Sequence, residues 1–309
     1  MVVYVNKVLN NLEKNSTQTS YVVAGDTDSL YVRMDPIIKH LFGKPVVNWK
    51  DKDTFHKIKD YSDNVFQVDV NNYCADFVCK EFHTDQRLIE FKREKLSAQG
   101  EFCAKKRYIV HVFDNEGLEA EKWAYTGVDI AKNELPDTIK KMLQDFVHGL
   151  IEFDWDNTII QKKLMEMYDM YIKLPIKDLA YIKNLSTPKS SNGFLSLEKG
   201  AGVHARAAEY YNQLIEKFNL QAKYETIGKN DRFYYIYIKD NNQFGINAIG
   251  WKDRYPIEFD KYFEIDKIKM FEKTILAPLK VILETHRAST FDPTNIAIPS
   301  KCDVDIFDL

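Results

Sequence analysis

Gly25-Asp26-Thr27-Asp28-Ser29 sets two carboxylates one residue apart in a run of small, polar residues. Carboxylate oxygens are hard donors, and Mg²⁺ takes one or two of them together with water and substrate phosphate oxygens. Two such ions about 3.5 to 4 Å apart can activate an attacking hydroxyl and stabilise a leaving pyrophosphate. The same residue types also make ordinary surface turns, and a bare Asp-x-Asp is most often one of those. The whole pentapeptide arises by chance on the order of once in ten thousand chains of this length, which favours a metal site.

A second group of residues is cationic. From Arg87 to Arg107 there are seven basic residues (Arg87, Lys92, Arg93, Lys95, Lys105, Lys106, Arg107) against Glu90, Glu94 and Glu101, a local charge of +4. The whole chain has 43 Lys and Arg against 46 Asp and Glu, a net charge of -3, so nucleic-acid binding has to rest on local patches of this kind. Farther on, His204 and Arg206 follow the glycine-rich run Lys199-Gly-Ala-Gly202. Backbone amides and basic side chains at such a helix entry can approach phosphates. The chain ends Asp303-Val-Asp-Ile-Phe-Asp-Leu309, with Ile306, Phe307 and Leu309 as apolar anchors in an acidic tail that follows Pro293 and Pro299.

The elements that must position these groups follow from periodicity. Val2, Val5, Val8, Leu9 and Leu12 fall at helical spacing, so the chain opens on an amphipathic helix. Tyr21-Val-Val and Leu30-Tyr-Val flank the acidic pentapeptide as a β-hairpin with the carboxylates at its tip. Residues 40 to 60 read as loop, 61 to 82 as a long helix, and 88 to 91, 108 to 113 and 123 to 130 as strands. After Pro136 the pattern turns helical, through Ile139 to Leu150 and Ile159 to Tyr171. A polar loop at 186 to 202 precedes a helix over 204 to 218, a strand-rich patch at 224 to 238 and a last helix from about 265 to 283. Strands early and helices late make an α+β chain.

Composition narrows the class further. A hydrophobic fraction of 45% with 29% charged residues excludes a disordered tail, and 12 Gly with 9 Pro exclude a collagen-like polymer. Cys74, Cys79, Cys103 and Cys302 make no Cys-x-x-Cys pair and have no zinc-like His spacing, as expected of a reduced, cytoplasmic protein. The N-terminal run lacks a basic region and meets Asn6, Lys7 and Asn10 too soon for a signal peptide or membrane span, so no membrane partner is expected.

Embedded as Tyr21-Val-Val-Ala-Gly-Asp-Thr-Asp-Ser-Leu-Tyr-Val32, the acidic pentapeptide resembles motif C of the B-family DNA polymerases. Glu90-Phe-Lys-Arg-Glu-Lys-Leu96 is similar to that family's palm strand ending in a Glu-Lys pair, and Lys105-Lys-Arg-Tyr108 to its Lys-Lys-Arg/Lys-Tyr motif. Tyr125-Thr-Gly-Val-Asp-Ile-Ala-Lys132 and the residues to Pro136 resemble the palm-to-thumb crossing, and His204 to Asn212 a thumb helix. The resemblance covers nearly all of the chain and is nearest to the replicative enzymes of T-even-type phages. It implies a partial palm, an antiparallel sheet with packed helices, over 1–126, a mainly helical thumb over 127–299, and a clamp-binding tail over 300–309.

By the same resemblance Asp28 ligates both Mg²⁺ ions, Asp26 supports it and Glu94 is an auxiliary carboxylate. Lys105, Lys106, Arg107 and Tyr108 meet the primer-template duplex behind the active site, Lys132, His204 and Arg206 add DNA contacts, and Ile306, Phe307 and Leu309 bind a sliding clamp. The family has an aromatic residue before the motif's glycine, and this chain has Ala24. Motif A, the fingers and the exonuclease lie upstream of motif C in the family, and only about two dozen residues precede it here. The expectation is therefore a split DNA-directed DNA polymerase acting in the host cytoplasm on deoxynucleoside triphosphates and primer-template DNA. This chain would be its C-terminal subunit, inactive without an N-terminal partner chain. A truncated or relic polymerase, a non-enzymatic DNA- and clamp-binding subunit, and an Asp-x-Asp glycosyltransferase holding a metal-bound nucleotide sugar are the other readings.

Overall fold

The computed structural model describes residues 1–14, 19–26, 28–84, 89–187, 191–197 and 200–286. They form two compact units, the first Met1–Thr126 and the second beginning at Gly127.

In the first unit, α1 (Val2–Glu13) buries Val5 and Leu9 and ends at Lys14, whose φ of 53° turns the chain out of the helix. The hairpin follows as β1 (Val22–Gly25) and β2 (Leu30–Val32), with Ala24 opposite Tyr31, Gly25 opposite Leu30 and a bulge around Val23. Bulges raise local twist and re-aim side chains. Val22, Leu30 and Val32 pack with Val5, Leu9, Tyr21, Ile37 and Val70, so one hairpin face is anchored in a core. Then come α2 (Asp35–Phe42), α3 (Lys52–Tyr61), one π-helical turn at Ser62–Phe66, and α4 (Gln67–Phe82).

The two helices α2 and α3 correct the expected loop at 40 to 60. Pro36 stands in the first turn of α2, the Asp51 side chain accepts from the Thr54 amide at 2.9 Å to cap α3, and Phe55 and Ile58 are buried. Alternating Lys and Asp around these few apolar residues hide the period.

A three-stranded antiparallel sheet completes the unit: β3 (Lys95–Ala104), β4 (Arg107–Asn115) and β5 (Leu118–Thr126), paired in that order. The expected strand at 88 to 91 is not found: Leu88 lies outside the described residues, and Ile89 to Glu94 has no ladder partner. Side-chain amides replace the ladder there. Asn71 donates to the Phe91 carbonyl at 2.9 Å and accepts from its amide at 2.7 Å, and Gln67 accepts from the Arg93 amide at 2.6 Å. The strand expected over 123 to 130 starts earlier and stops at Thr126, because Gly127 takes a φ of 63° and Asp129–Ala131 coils into a 3₁₀ turn.

The second unit contains α5 (Asp137–Phe153), α6 (Asn157–Tyr171), α7 (Ile176–Leu179), β6 (Tyr181–Asn184), a small hairpin of β7 (Ser191–Gly193) and β8 (Ser196–Leu197), and α8 (Val203–Lys217). Then follow β9 (Arg232–Tyr237), β10 (Ala248–Trp251), α9 (Lys267–Phe271), a π-helical turn at Glu272–Leu276, and α10 (Ala277–Thr285). The sheet order is β10-β9-β6. Ala205, Ala207 and Ala208 let α8 lie close on β10, where a Cβ added to Gly250 would stand 3.0 Å from the Ala207 carbonyl oxygen. The expected loop at 186 to 202 thus holds a hairpin, and the strand patch at 224 to 238 narrows to β9, whose partner β10 lies beyond it. The class is α+β, and among the described residues no helix is long and apolar enough to cross a membrane.

Candidate metal and nucleic-acid site

The hairpin tip is built by its backbone. The Asp26 amide donates to the Ser29 carbonyl at 3.0 Å, which closes the turn and leaves both Asp26 and Asp28 exposed. Beside Asp28 lies a cleft of about 710 Å³ whose lining includes Tyr73 and Phe77 of α4, Phe91, Glu94 and Glu116. The structure therefore brings Asp28 and Glu94 to one cavity.

Glu94 owes its place to a buried ion cluster. Its neighbour Arg93 is only 12% exposed and reaches Asp114 at 2.6 Å and Asp63 at 3.0 Å, while Lys59 reaches Asp114 at 2.8 Å. Burial opposes the Arg93 charge, but the two carboxylates outweigh it and hold the guanidinium above its usual range. Arg93 is thus a structural cation, a correction to the basic patch in which the sequence had counted it toward phosphate binding.

The Lys-Lys-Arg-Tyr residues form the turn between β3 and β4 and the first residues of β4. Lys105 and Lys106 are exposed at the tip, Arg107 and Tyr108 half-buried behind it. Lys106 takes a φ of 59°, which a non-glycine residue adopts only under constraint. Its ammonium lies 2.9 Å from Asp26 Oδ2, and this contact raises the lysine's pKa. Two residues on, the Tyr108 hydroxyl meets that of Tyr31 at 2.8 Å. Burial, then the Tyr108 contact, push the Tyr31 phenol up to about 12. Burial would raise Tyr108 as well, but hydrogen bonds from Thr126 and Tyr31 outweigh it and bring it down, as expected where Tyr31 donates. Two motifs about 75 residues apart in the chain (Tyr31 and Tyr108 are separated by 77) are thus joined at one end of the first unit.

The remaining expected DNA-contact residues belong to the second unit. Lys132 pairs with Asp129 at 3.1 Å and is half-exposed. His204 and Arg206 lie in the first turn of α8, after Gly202. Burial first, then nearby Lys183, lowers the His204 pKa, which favours the neutral imidazole. Lys183 is itself engaged by Glu134. Ile306, Phe307 and Leu309 lie outside the described residues.

Sequence reasoning missed Tyr31, Asp63, Asp114, Asn71 and Gln67. Of these only Tyr31 carried a signal, since strand alternation sets it on the face opposite Leu30 and Val32. For a cation the donor set is all oxygen, which fits Mg²⁺ rather than a soft metal. Among the described residues no group of three or more His, Cys, Asp or Glu side chains converges.

No protein-family model matches the chain. It is 26% identical over 302 residues to the DNA-directed DNA polymerase of Escherichia phage RB69, covering 89% of this chain and 31% of that protein. It is 20% identical over 301 residues to the DNA-directed DNA polymerase of Enterobacteria phage T4, covering 91% of this chain and 31% of that protein. With the DNA polymerase of Choristoneura biennis entomopoxvirus the identity is 23% over 251 residues, covering 79% and 23%. The chain spans about a third of the length of the phage proteins it matches. The chain is thus similar over most of its length to DNA-directed DNA polymerases of T4-like phages and of an entomopoxvirus, as expected of a fragment of a B-family polymerase.

Proposed function

We propose that this chain supplies the motif C carboxylates and the duplex-contacting surface of a DNA-directed DNA polymerase. The observation that carries the reading is the junction of the two hairpins, Lys106 on Asp26 and Tyr31 on Tyr108, which sets a cationic tip beside paired carboxylates. A lysine there can meet the acceptors common to all base pairs in the minor groove, and so test pairing geometry without reading sequence.

Asp28 and Asp26 would hold Mg²⁺, with Glu94 nearby, and the bound ions would polarise the transferring phosphoryl group and stabilise the leaving pyrophosphate. The Lys106 ammonium occupies the cation side of Asp26 in the free chain and has to share or release it when metal and duplex arrive. The further carboxylates and the nucleotide-gripping helix come from a region carrying motif A and the fingers, supplied as a partner chain or as the rest of a longer protein. Lys105, Arg107, Lys132, His204 and Arg206 follow the duplex, and Ile306, Phe307 and Leu309 tether the enzyme to a sliding clamp. The place of action is the host cytoplasm.

The test is primer extension by this chain with the upstream polymerase region supplied and omitted. Synthesis only when it is supplied, lost in Asp28→Ala, is the expected result. Duplex binding with no synthesis in any combination would instead favour the non-enzymatic subunit.

A further inference from the structure

Tyr31 is given no role of its own in the reading above, yet the two hairpins meet through it. Its neighbours Leu30 and Val32 pack into the α1 and α2 core, so alternation turns Tyr31 to the other face, opposite Ala24. There its ring meets Phe102 edge-on with centroids 5.3 Å apart and Tyr108 at 5.2 Å, while Phe102 and Tyr108 stack at 5.3 Å. Phe102 and Tyr108 are cross-strand partners that flank the Lys105-Lys106 turn. A ring inserted against both, with a hydroxyl bond to one, fixes the base of that turn. Lys106 stands at the tip of that turn, with a φ of 59° and its ammonium 2.9 Å from Asp26.

We propose that Tyr31 is a positioning residue for duplex contact: through the Tyr108 hydroxyl it holds the Lys105-Lys106 turn against the carboxylate hairpin, so that the contribution of Lys106 to primer-template binding depends on Tyr31. The proposal rests on the nucleic-acid reading of Lys106. Tyr31 itself touches no nucleic acid in it.

The experiment is a double-mutant cycle on the 309-residue chain, read by fluorescence anisotropy of a labelled primer-template. Lys106→Ala should weaken binding about tenfold or more in the wild-type background, as expected for loss of one charge-assisted hydrogen bond, and less than twofold in Tyr31→Phe. Tyr108→Phe, which breaks the same bond from its other end, should remove the Lys106 dependence to the same degree. Lys132→Ala, in the second unit, should have the same effect in every background. Additive Lys106 and Tyr31 effects overturn the proposal and leave the duplex reading standing. A Tyr31→Phe change that also alters the Lys132 effect overturns it too, because Tyr31 would then act on the whole fold. A chain with no duplex affinity, or one unaffected by Lys106→Ala, overturns both.

Discussion

Asp114→Asn should cost the first unit about 3 kcal/mol of stability at pH 7, the lower end of the roughly 3 to 5 kcal/mol typical of breaking a buried ion pair. Asp114 is wholly buried on β4 and receives Arg93 at 2.6 Å, Lys59 at 2.8 Å and the Gly117 amide at 2.9 Å. Asparagine keeps the shape and loses the charge, leaving two cations facing a neutral amide. The lower end applies because Asp63 stays on Arg93, and Lys59, 22% exposed, can turn toward Glu119, 3.8 Å away. Burial alone would raise the Asp114 pKa, but Lys59, Arg93 and the Gly117 amide outweigh it and the net direction is down. A carboxylate whose folded pKa lies below its unfolded value, near 3.9, contributes fully above about pH 4 to 5 and loses that contribution as pH falls through the folded value. The two proteins should therefore differ fully at neutral pH and converge in acid. Urea unfolding followed by hydrogen exchange at β3 to β5 amides separates this unit from the other, which matters because two units need not unfold together. A loss below about 1 kcal/mol at pH 7, or a gap that widens in acid, would refute the buried-cluster argument.

Four further outcomes are expected, the last from the sequence of the tail alone. Asp28→Ala in the complemented enzyme should cut primer extension roughly a thousandfold or more with duplex affinity unchanged, since metal-held charge contributes several kcal/mol to the barrier; a tenth of the rate retained would remove Asp28 from the metal shell, and Asp26→Ala should be milder. Lys106→Ala should weaken all primer-templates alike, and titration in salt should show a slope lower by about one unit only if the lysine sits on a phosphate. Gly250→Ala should lower the stability of the second unit by about 1 to 3 kcal/mol, because the new methyl would lie 3.0 Å from the backbone of α8, as calorimetry would detect. Removal of residues 303 to 309 should leave synthesis on short templates unchanged and abolish clamp-dependent long products, measured by product length with and without the clamp.

How much of this was legible in the sequence depends on the range of the interaction that decides each element. The hairpin at 22 to 32, α1, α5, α6 and α8 carry their own periods and turn residues, and the structure has them where the pattern sets them. The π-helical turns at 62 to 66 and 272 to 276 leave the helical character of their segments intact, so the long helix and the last helix were legible although the local distortion was not. The α2 and α3 helices were missed because a few buried residues, among them Ile37, Ile38, Phe55 and Ile58, sit in a Lys- and Asp-rich background. There the capping residue Asp51 was the better signal than hydrophobicity.

The candidate site divides the same way. Asp26 and Asp28 announce themselves because a turn at a hairpin tip is a local object, and their neighbours in sequence build it. Glu94 was singled out by the resemblance alone, since its position is set by Arg93 gripping Asp63 and Asp114 and by Asn71 and Gln67 holding the backbone of 91 to 93, contacts 20 to 30 residues away in the chain. The segment has the composition of a strand and the hydrogen bonds of a clamped loop. Composition responds to burial, and burial is the same in both cases, whereas the choice between them is made by whether a neighbouring strand or a pair of side-chain amides answers the backbone. Arg93 shows the same limit for charge. Counted along the chain it adds to a basic patch, but folded it is engaged by two carboxylates, so the surface offered to a phosphate is smaller than the sequence sum, with Lys105 and Lys106 exposed at the tip that Tyr31 and Tyr108 adjoin.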